Sequence, residues 1–151
     1  MKLKADICFL QETHLTDTEL QHLHFKQFDK IFSSTFNSKQ RGVSILINKN
    51  IPFKLNSSTT DPEGRFVIIN ISINQLTLTL VNVYGPNNDD PAFFHNLFSL
   101  LNNSSNLIIA GDFNTVLIPS LDRSHNHSNS RLWHSSEIIK QYMVDYGLGN
   151  S

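Results

Sequence analysis

Three short apolar runs in this chain end in polar residues that a hydrophobic core does not need. The first closes on Gln11-Glu12-Thr13-His14, the second on Asn82-Val83-Tyr84-Gly85-Pro86-Asn87, and the third on Gly111-Asp112-Phe113-Asn114. A carboxylate at a strand end can hold Mg²⁺ directly or through water, because this hard cation takes oxygen ligands and keeps several of its waters. A second carboxylate nearby can orient or deprotonate an attacking water. Asn and Tyr side chains can donate hydrogen bonds to phosphate oxygens as charge builds on them. Each element alone has a plainer reading: a surface Glu, a half-buried strand Tyr, an Asp-Phe-Asn turn. Their ordered combination is much harder to put down to accident.

Such residues work only if rigid elements hold them, and the sequence supplies candidates. Asp6–Gln11 is a short apolar run with polar ends, as a buried strand would be. Thr16 and Glu19 form a capping-box pattern, with Leu15 and Leu20 placed as a hydrophobic staple, so a helix is expected from there to about Phe25. Arg41-Gly42 leads into the apolar run Val43–Ile47. Phe66–Ile73 and Leu76–Tyr84 read as two strands, and Asn74-Gln75 between them fits a two-residue hairpin turn. Asp90-Pro91 opens a helix carrying Phe93, Phe94, Leu97, Phe98, Leu100 and Leu101, with Phe93, Leu97 and Leu101 expected on its buried face. Asn106–Ala110 is a further strand. A last helix spans about Leu132–Tyr146, with Gly147 as its C-cap. Strands with interspersed helices, one pair antiparallel by hairpin, indicate a layered protein of the α/β (α+β) class.

Composition sets outer limits. At 151 residues, 39% hydrophobic and 17% charged, the chain is the size of one globular domain and is not of disordered composition. A net charge of −1 gives no global nucleic-acid signal. Six basic residues lie between Lys26 and Lys54 against the single acid Asp29, with Phe25, Phe28, Phe32 and Phe36 interleaved. Such a run is either a DNA-backbone surface, with Lys39 and Arg41 the foremost candidates, or a solvated face over core phenylalanines. The single cysteine, Cys8, sits in an apolar run and reads as a small core residue. No signal-peptide pattern and no membrane-length apolar stretch is present, so an intracellular, non-secreted, membrane-free protein is expected.

The three runs Gln-Glu-Thr-His-Leu, Asn-Val-Tyr-Gly-Pro-Asn and Ala-Gly-Asp-Phe-Asn-Thr, in that order, resemble the motifs of the endonuclease/exonuclease/phosphatase superfamily. Arg41-Gly42-Val43-Ser44-Ile45-Leu46 and Ser120-Leu121-Asp122-Arg123-Ser124 look like its branch carried by non-LTR retrotransposons. The resemblance implies Mg²⁺-dependent nicking of DNA, with Mn²⁺ as the alternative ion. It further implies a nuclear setting and a longer polyprotein with reverse transcriptase. Under it, Glu12 is the metal ligand, Tyr84 contacts the scissile phosphate, Asp112 positions or activates the water, and Asn114 binds the phosphate. Glu12 and Asp112, 100 positions apart (112 − 12), are then expected in one pocket. Thr13, His14 and Thr115 match motif flanks and are expected to be structural.

Two family elements find no counterpart: a first strand ending in a metal-site Asn, and a C-terminal Ser-Asp-His triplet. None of the seven histidines follows an Asp in the required way, and His22-x-His24 and His125-x-His127 read as surface histidines rather than metal pairs. The expected fold is therefore a partial four-layer α/β sandwich of the deoxyribonuclease-like type, one partial domain over residues 1–151. It would lack its first strand and much of its second sheet, and nicking by the chain alone is expected near background. Two other readings stand beside this one: a non-catalytic remnant that at most binds nucleic acid, and a phosphoinositide- or sphingomyelin-type phosphodiesterase of the same superfamily.

Overall fold

The computed structural model describes residues 5–22, 26–37, 39–104, 106–115 and 134–148. Among them the elements run β1 (Ile7–Gln11), α1 (Asp17–Gln21), β2 (Phe28–Ser34), β3 (Val43–Asn48), β4 (Lys54–Thr60), β5 (Phe66–Ile73), β6 (Leu76–Tyr84), α2 (Pro91–Ser99), β7 (Leu107–Asp112) and α3 (His134–Asp145). The chain divides into two compact units. One comprises Met1–Tyr84 with Ser104–Phe113, the other Gly85–Asn103 with Asn114–Ser151.

The first unit holds two sheets. One has the strand order β1-β3-β2, and the other has the order β4-β5-β6-β7. The hairpin forms as its residues require: β5 and β6 pair from Phe66 opposite Val83 to Ile73 opposite Leu76, and Asn74 turns with φ 55°. Every pairing in the unit is antiparallel except that of β6 with β7, whose parallel register sets Thr79 opposite Leu107 and Tyr84 opposite Asp112. A parallel partner cannot be reached by a tight turn, so the chain leaves through residues 85–106 before it returns.

Alternate side chains of the two sheets make the core. Val43, Ile45 and Ile47 of β3, Val67, Ile69 and Ile71 of β5, and Leu80 of β6 form one fully buried cluster. Around it pack Ile7 and Phe9 of β1, Phe32 of β2, and the ring of Tyr84. Of the phenylalanines interleaved with basic residues, Phe28 is buried, Phe32 is half-buried and Phe36 is exposed, while Phe25 lies outside the described residues. Core anchoring thus accounts for Phe28 and Phe32, and Lys26, Lys30, Lys39, Lys49 and Lys54 occupy exposed positions. The capping box forms: the Thr16 hydroxyl accepts from Glu19 N at 3.3 Å, and the Glu19 carboxylate accepts from Thr16 N at 2.8 Å. α1 ends at Gln21 with His22 as its cap, and Leu23–Phe25 lie outside the described residues.

In the second unit Asp90 caps α2, accepting from Phe93 N at 3.1 Å, with Pro91 in the first turn. The buried face of α2 is the expected one at Leu97 and Leu101 and differs from it at Phe93. Phe94, Leu97, Phe98 and Leu101 are buried, and Phe93 is only half-buried with its ring edge-on to Phe94 at 5.1 Å. α2 and α3 pack together through a stack in which the Phe98 and Tyr142 rings lie 3.9 Å apart and the Tyr142 and Tyr146 rings 4.2 Å apart. The start of α3 is capped from a distance, since the Asp89 carboxylate accepts from His134 N at 2.9 Å and Ser135 N at 2.8 Å. Gly147 closes the helix at φ 61°, with Leu148 N donating to Met143 O at 2.8 Å. Trp133 and the run Ser120–Ser124 lie outside the described residues, as does the pair His125 and His127. No helix among the described residues is long and apolar enough to cross a membrane.

Candidate active site

Within the first unit, a continuous set of bonds gathers three of the predicted residues at one end of the two sheets. Asn82, fully buried in β6, donates through Nδ2 to Leu10 O of β1 and to Ser44 O of β3, both at 2.8 Å. Its Oδ1 accepts from Gln11 Nε2 at 2.6 Å. One side chain therefore uses donors and acceptor alike to tie the second sheet to the last two residues of β1. Glu12 is the next residue along, and Tyr84 lies two beyond Asn82 on the same strand.

The same end is closed by backbone bonds. Thr13 N donates to Gly42 O at 3.1 Å, His14 N to Arg41 O at 3.0 Å, and Gly42 N to Gly64 O at 3.1 Å. Next to Gly64, the Arg65 carbonyl accepts from Tyr84 N at 2.7 Å, and Tyr84 stands opposite Asp112 in the parallel register. Glu12, Tyr84 and Asp112 thus come from two sheets and three strand ends to one end of the unit. Glu12 and Asp112 are exposed, whereas Tyr84 is half-buried with its ring on the core.

Backbone conformation confines both carboxylate positions. Glu12 and His14 have φ of 51° and 52°, a left-handed pair bracketing Thr13. Few non-glycine residues adopt this region, and they persist there only when neighbours over-determine them. Gly42 is one such neighbour: at φ 98° it leaves no room for a side chain, and a Cβ there would stand 2.5 Å from Thr13 Oγ1. That hydroxyl is buried without a hydrogen-bond partner. Gly111, at φ 142° and directly before Asp112, is tighter still, because a Cβ there would be driven into the Val83 carbonyl of β6.

The donor set is one of oxygens. Two exposed carboxylates at one end suit a water-rich hard cation, which needs only one or two protein carboxylates. They do not form a closed site, and no cluster of three or more His, Cys, Asp or Glu able to hold a metal occurs among the described residues. His14 Nε2 lies 4.0 Å from Glu12 Oε2, a contact between side chains about half exposed that contributes little.

Asn114 belongs to the second unit. Its backbone is left-handed at φ 49°, and its Nδ2 donates to Gly85 O at 2.8 Å. Thr115, beside it, has its hydroxyl buried without a hydrogen-bond partner. The two basic candidates differ from each other. Lys39 is exposed, while the Arg41 guanidinium is held by Glu63 Oε2 at 2.6 Å and lies 4.7 Å from the centre of the Phe36 ring. Sequence reasoning assigned no role to Asn82, Gly42, Gly111 or Arg65. A polar Asn in the run Leu80-Val81-Asn82-Val83 was the signal for the first, since an Asn flanked by core positions must find partners.

The sequence pattern of the Endonuclease/Exonuclease/phosphatase family matches residues 2–136. Among solved structures, the chain resembles an AP endonuclease from Archaeoglobus fulgidus at 20% identity and a TM-score of 0.55, covering 91% of this chain and 61% of that one. It also resembles humanized D. rerio TDP2 at 19% identity and a TM-score of 0.54, covering 74% of this chain and 50% of that one. D. rerio TDP2 complexed with single strand DNA product gives the same identity and score over 74% of this chain and 48% of its own. The chain therefore spans about half to three-fifths of the length of these structures. At such identities the likeness is one of fold: a mixed α/β architecture with two sheets and few helices, of the deoxyribonuclease-like type. A family pattern over most of the chain, and a fold that agrees with it, place this chain in the Endonuclease/Exonuclease/phosphatase family.

Proposed function

We propose that the chain is a divalent-metal phosphodiesterase domain acting on DNA, of the type that nicks target sites for non-LTR retrotransposons. The observation that carries this reading is the meeting of Glu12, Tyr84 and Asp112 at one end of the two-sheet unit, on backbone that Gly42 and Gly111 confine. Glu12 would hold the metal, Mg²⁺ or Mn²⁺, which when bound supplies charge stabilisation to a phosphoryl oxygen. Asp112 would accept a proton from the attacking water, or orient it toward phosphorus. Tyr84 would donate to the phosphate, fixed in place by its backbone bond to Arg65 and its ring on the core. The phosphate role of Asn114 rests on the motif Gly-Asp-Phe-Asn alone. DNA as substrate is supported by the structural neighbours, an AP endonuclease and a TDP2 complexed with single strand DNA product. The retrotransposon branch, with a nuclear setting and a reverse transcriptase in the same polyprotein, rests on the Arg41–Leu46 and Ser120–Ser124 runs.

Supercoiled plasmid incubated with Mg²⁺ or Mn²⁺ tests the proposal. Conversion to open circle that disappears in Asp112→Ala and Glu12→Ala supports it, however slow the conversion is. Nicking that survives both substitutions refutes the residue roles. Hydrolysis of phosphoinositides with plasmid untouched would move the chain to the lipid-phosphodiesterase branch, and no hydrolysis of either would leave the non-catalytic remnant. An in-frame reverse transcriptase in the flanking genomic sequence is the matching test of the branch.

A further inference from the structure

In the second unit α2 and α3 leave between them a groove of about 740 Å³. Its floor is aromatic, made by Phe98, Tyr142 and Tyr146, whose rings stack in that order. Its walls are polar and built at helical spacing. α2 and the turn after it contribute His95, Ser99 and Asn102, while α3 contributes Glu137, Gln141 and Asp145. Each set recurs every three or four residues and so forms one row, and all six side chains are exposed. At the floor the Tyr142 hydroxyl is buried and has no hydrogen-bond partner, whereas the Tyr146 hydroxyl donates to Asn102 Oδ1 at 3.0 Å. A buried hydroxyl left unsatisfied costs free energy that an incoming acceptor would recover.

Charge says what kind of ligand the groove suits. Among the described residues of this unit the acids are Asp89, Asp90, Glu137 and Asp145, against the single lysine Lys140. Asp89 and Asp90 are taken up as helix caps. Glu137 and Asp145 stand on the groove. Lys140 meets Glu137 at 3.3 Å in an exposed pair, and Asp145 accepts from the neutral Gln141 at 2.7 Å. Eight residues of helix separate the two carboxylates by about 12 Å. One small cation cannot meet both. A partner helix laid along α3 can, with lysine or arginine seven or eight positions apart and apolar side chains between them on the aromatic floor. We propose that the α2–α3 groove docks a basic amphipathic helix of a partner protein, its apolar face on Phe98 and Tyr142 and its two cations on Glu137 and Asp145. The inference is independent of the proposed hydrolysis and of DNA as the substrate.

The test is fluorescence anisotropy, in EDTA, with a fluorescein-labelled helical peptide of about five turns that carries leucines on one face and two flanking lysines about eight positions apart. Saturable binding is expected, weakening as salt is raised. Glu137→Gln and Asp145→Asn should each weaken it about two- to fivefold, as the loss of an exposed ion pair does. Asp29→Asn removes the same charge from the exposed surface of the first unit and should change nothing. Ser99→Trp fills the groove from an exposed position and should weaken binding by about tenfold or more. Two further peptides probe the wild-type chain without any substitution. Glutamates in place of the lysines should abolish binding, and serines in place of the leucines should reduce it to a trace. Equal affinity for either of these, no saturable binding of the first peptide, or equal losses in Asp29→Asn and Asp145→Asn overturns the proposal. So does self-association of the free chain that Ser99→Trp abolishes, because the groove would then belong to a second copy.

Discussion

Asn82→Ala should be among the most damaging single substitutions in the first unit, although Asn82 is polar and bears no proposed chemistry. Its side chain makes three hydrogen bonds, at 2.6, 2.8 and 2.8 Å, while wholly excluded from solvent. Each bond contributes about 1 kcal/mol net, and each buried partner left unsatisfied costs about 1–3 kcal/mol. The partners are two strand carbonyls and one amide, and the truncation leaves a cavity where water is not readily admitted. A total of about 3–5 kcal/mol follows once part of the loss is recovered by relaxation. With a urea slope of about 2 kcal/mol/M for a domain this size, the unfolding midpoint should drop by about 2 M. Asn70→Ala supplies the comparison. Asn70 sits one strand away, half-buried, donating to Thr79 Oγ1 at 3.0 Å and accepting from Asn56, and its loss should cost under about 1 kcal/mol. Equal midpoint shifts for the two variants, or a shift below about 0.5 M for Asn82→Ala, would refute the claim that Asn82 pins the sheets together.

Gly42→Ala should lower stability and weaken Mn²⁺ binding measured by water-proton relaxation, because the added methyl pushes on Thr13 beside Glu12; the double variant with Thr13→Ser removes only the Thr13 methyl and should recover little. Phe94→Ala should cost about 3–5 kcal/mol and Phe93→Ala clearly less, since only Phe94 is fully buried; equal losses in denaturant titrations would overturn the observed helix phase. The Asp89 carboxyl lies well below the ordinary carboxylate range, chiefly through hydrogen bonds from the Ser135 side chain and backbone. A depressed pKa contributes stability above the unfolded carboxyl value and loses it as pH falls through and below that value. Helix content should accordingly fall on acidification below about pH 4, and Asp89→Asn should flatten that part of a circular-dichroism titration.

Elements whose residues carry their own signal were legible in the sequence. The β5–β6 hairpin, with its two-residue Asn74-Gln75 turn, and the Thr16/Glu19 capping box depend on neighbours in sequence, and they form at the expected residues. Two strands were not foreseen. β2 lies in a stretch that reads first as basic, and a bulge at Phe28/Lys30 breaks its alternation. β4, Lys-Leu-Asn-Ser-Ser-Thr-Thr, is exposed along its whole length at the sheet edge, so burial leaves no period-two mark on it. The same distinction holds at the site. The exposed carboxylates of Glu12 and Asp112 could be picked out as candidates because a core does not ask for them, whereas Tyr84, with its ring on the core, was a candidate only through its motif. The bonds that bring them together were not visible, since Asn82 reaches Leu10 and Gln11 across 72 and 71 positions.

The parallel pairing of β6 with β7 bears on the order in which the site assembles and comes apart. The β5–β6 hairpin can close through a turn of two residues, whereas Asp112 reaches Tyr84 only after a detour of 28 positions (112 − 84). Contacts that close long loops carry the larger entropic cost and tend to form later. Among the described residues β7 is also an edge strand, hydrogen-bonded to a neighbour on one side alone. Amides of β7 should therefore exchange with solvent sooner than those of β5 and β6, through openings that release the outer strand and leave the hairpin intact. In every such opening Asp112 departs while Tyr84 and Glu12 keep their places, so on the proposed reading the competence of the site would be set by the lifetime of one strand's attachment rather than by the stability of the whole.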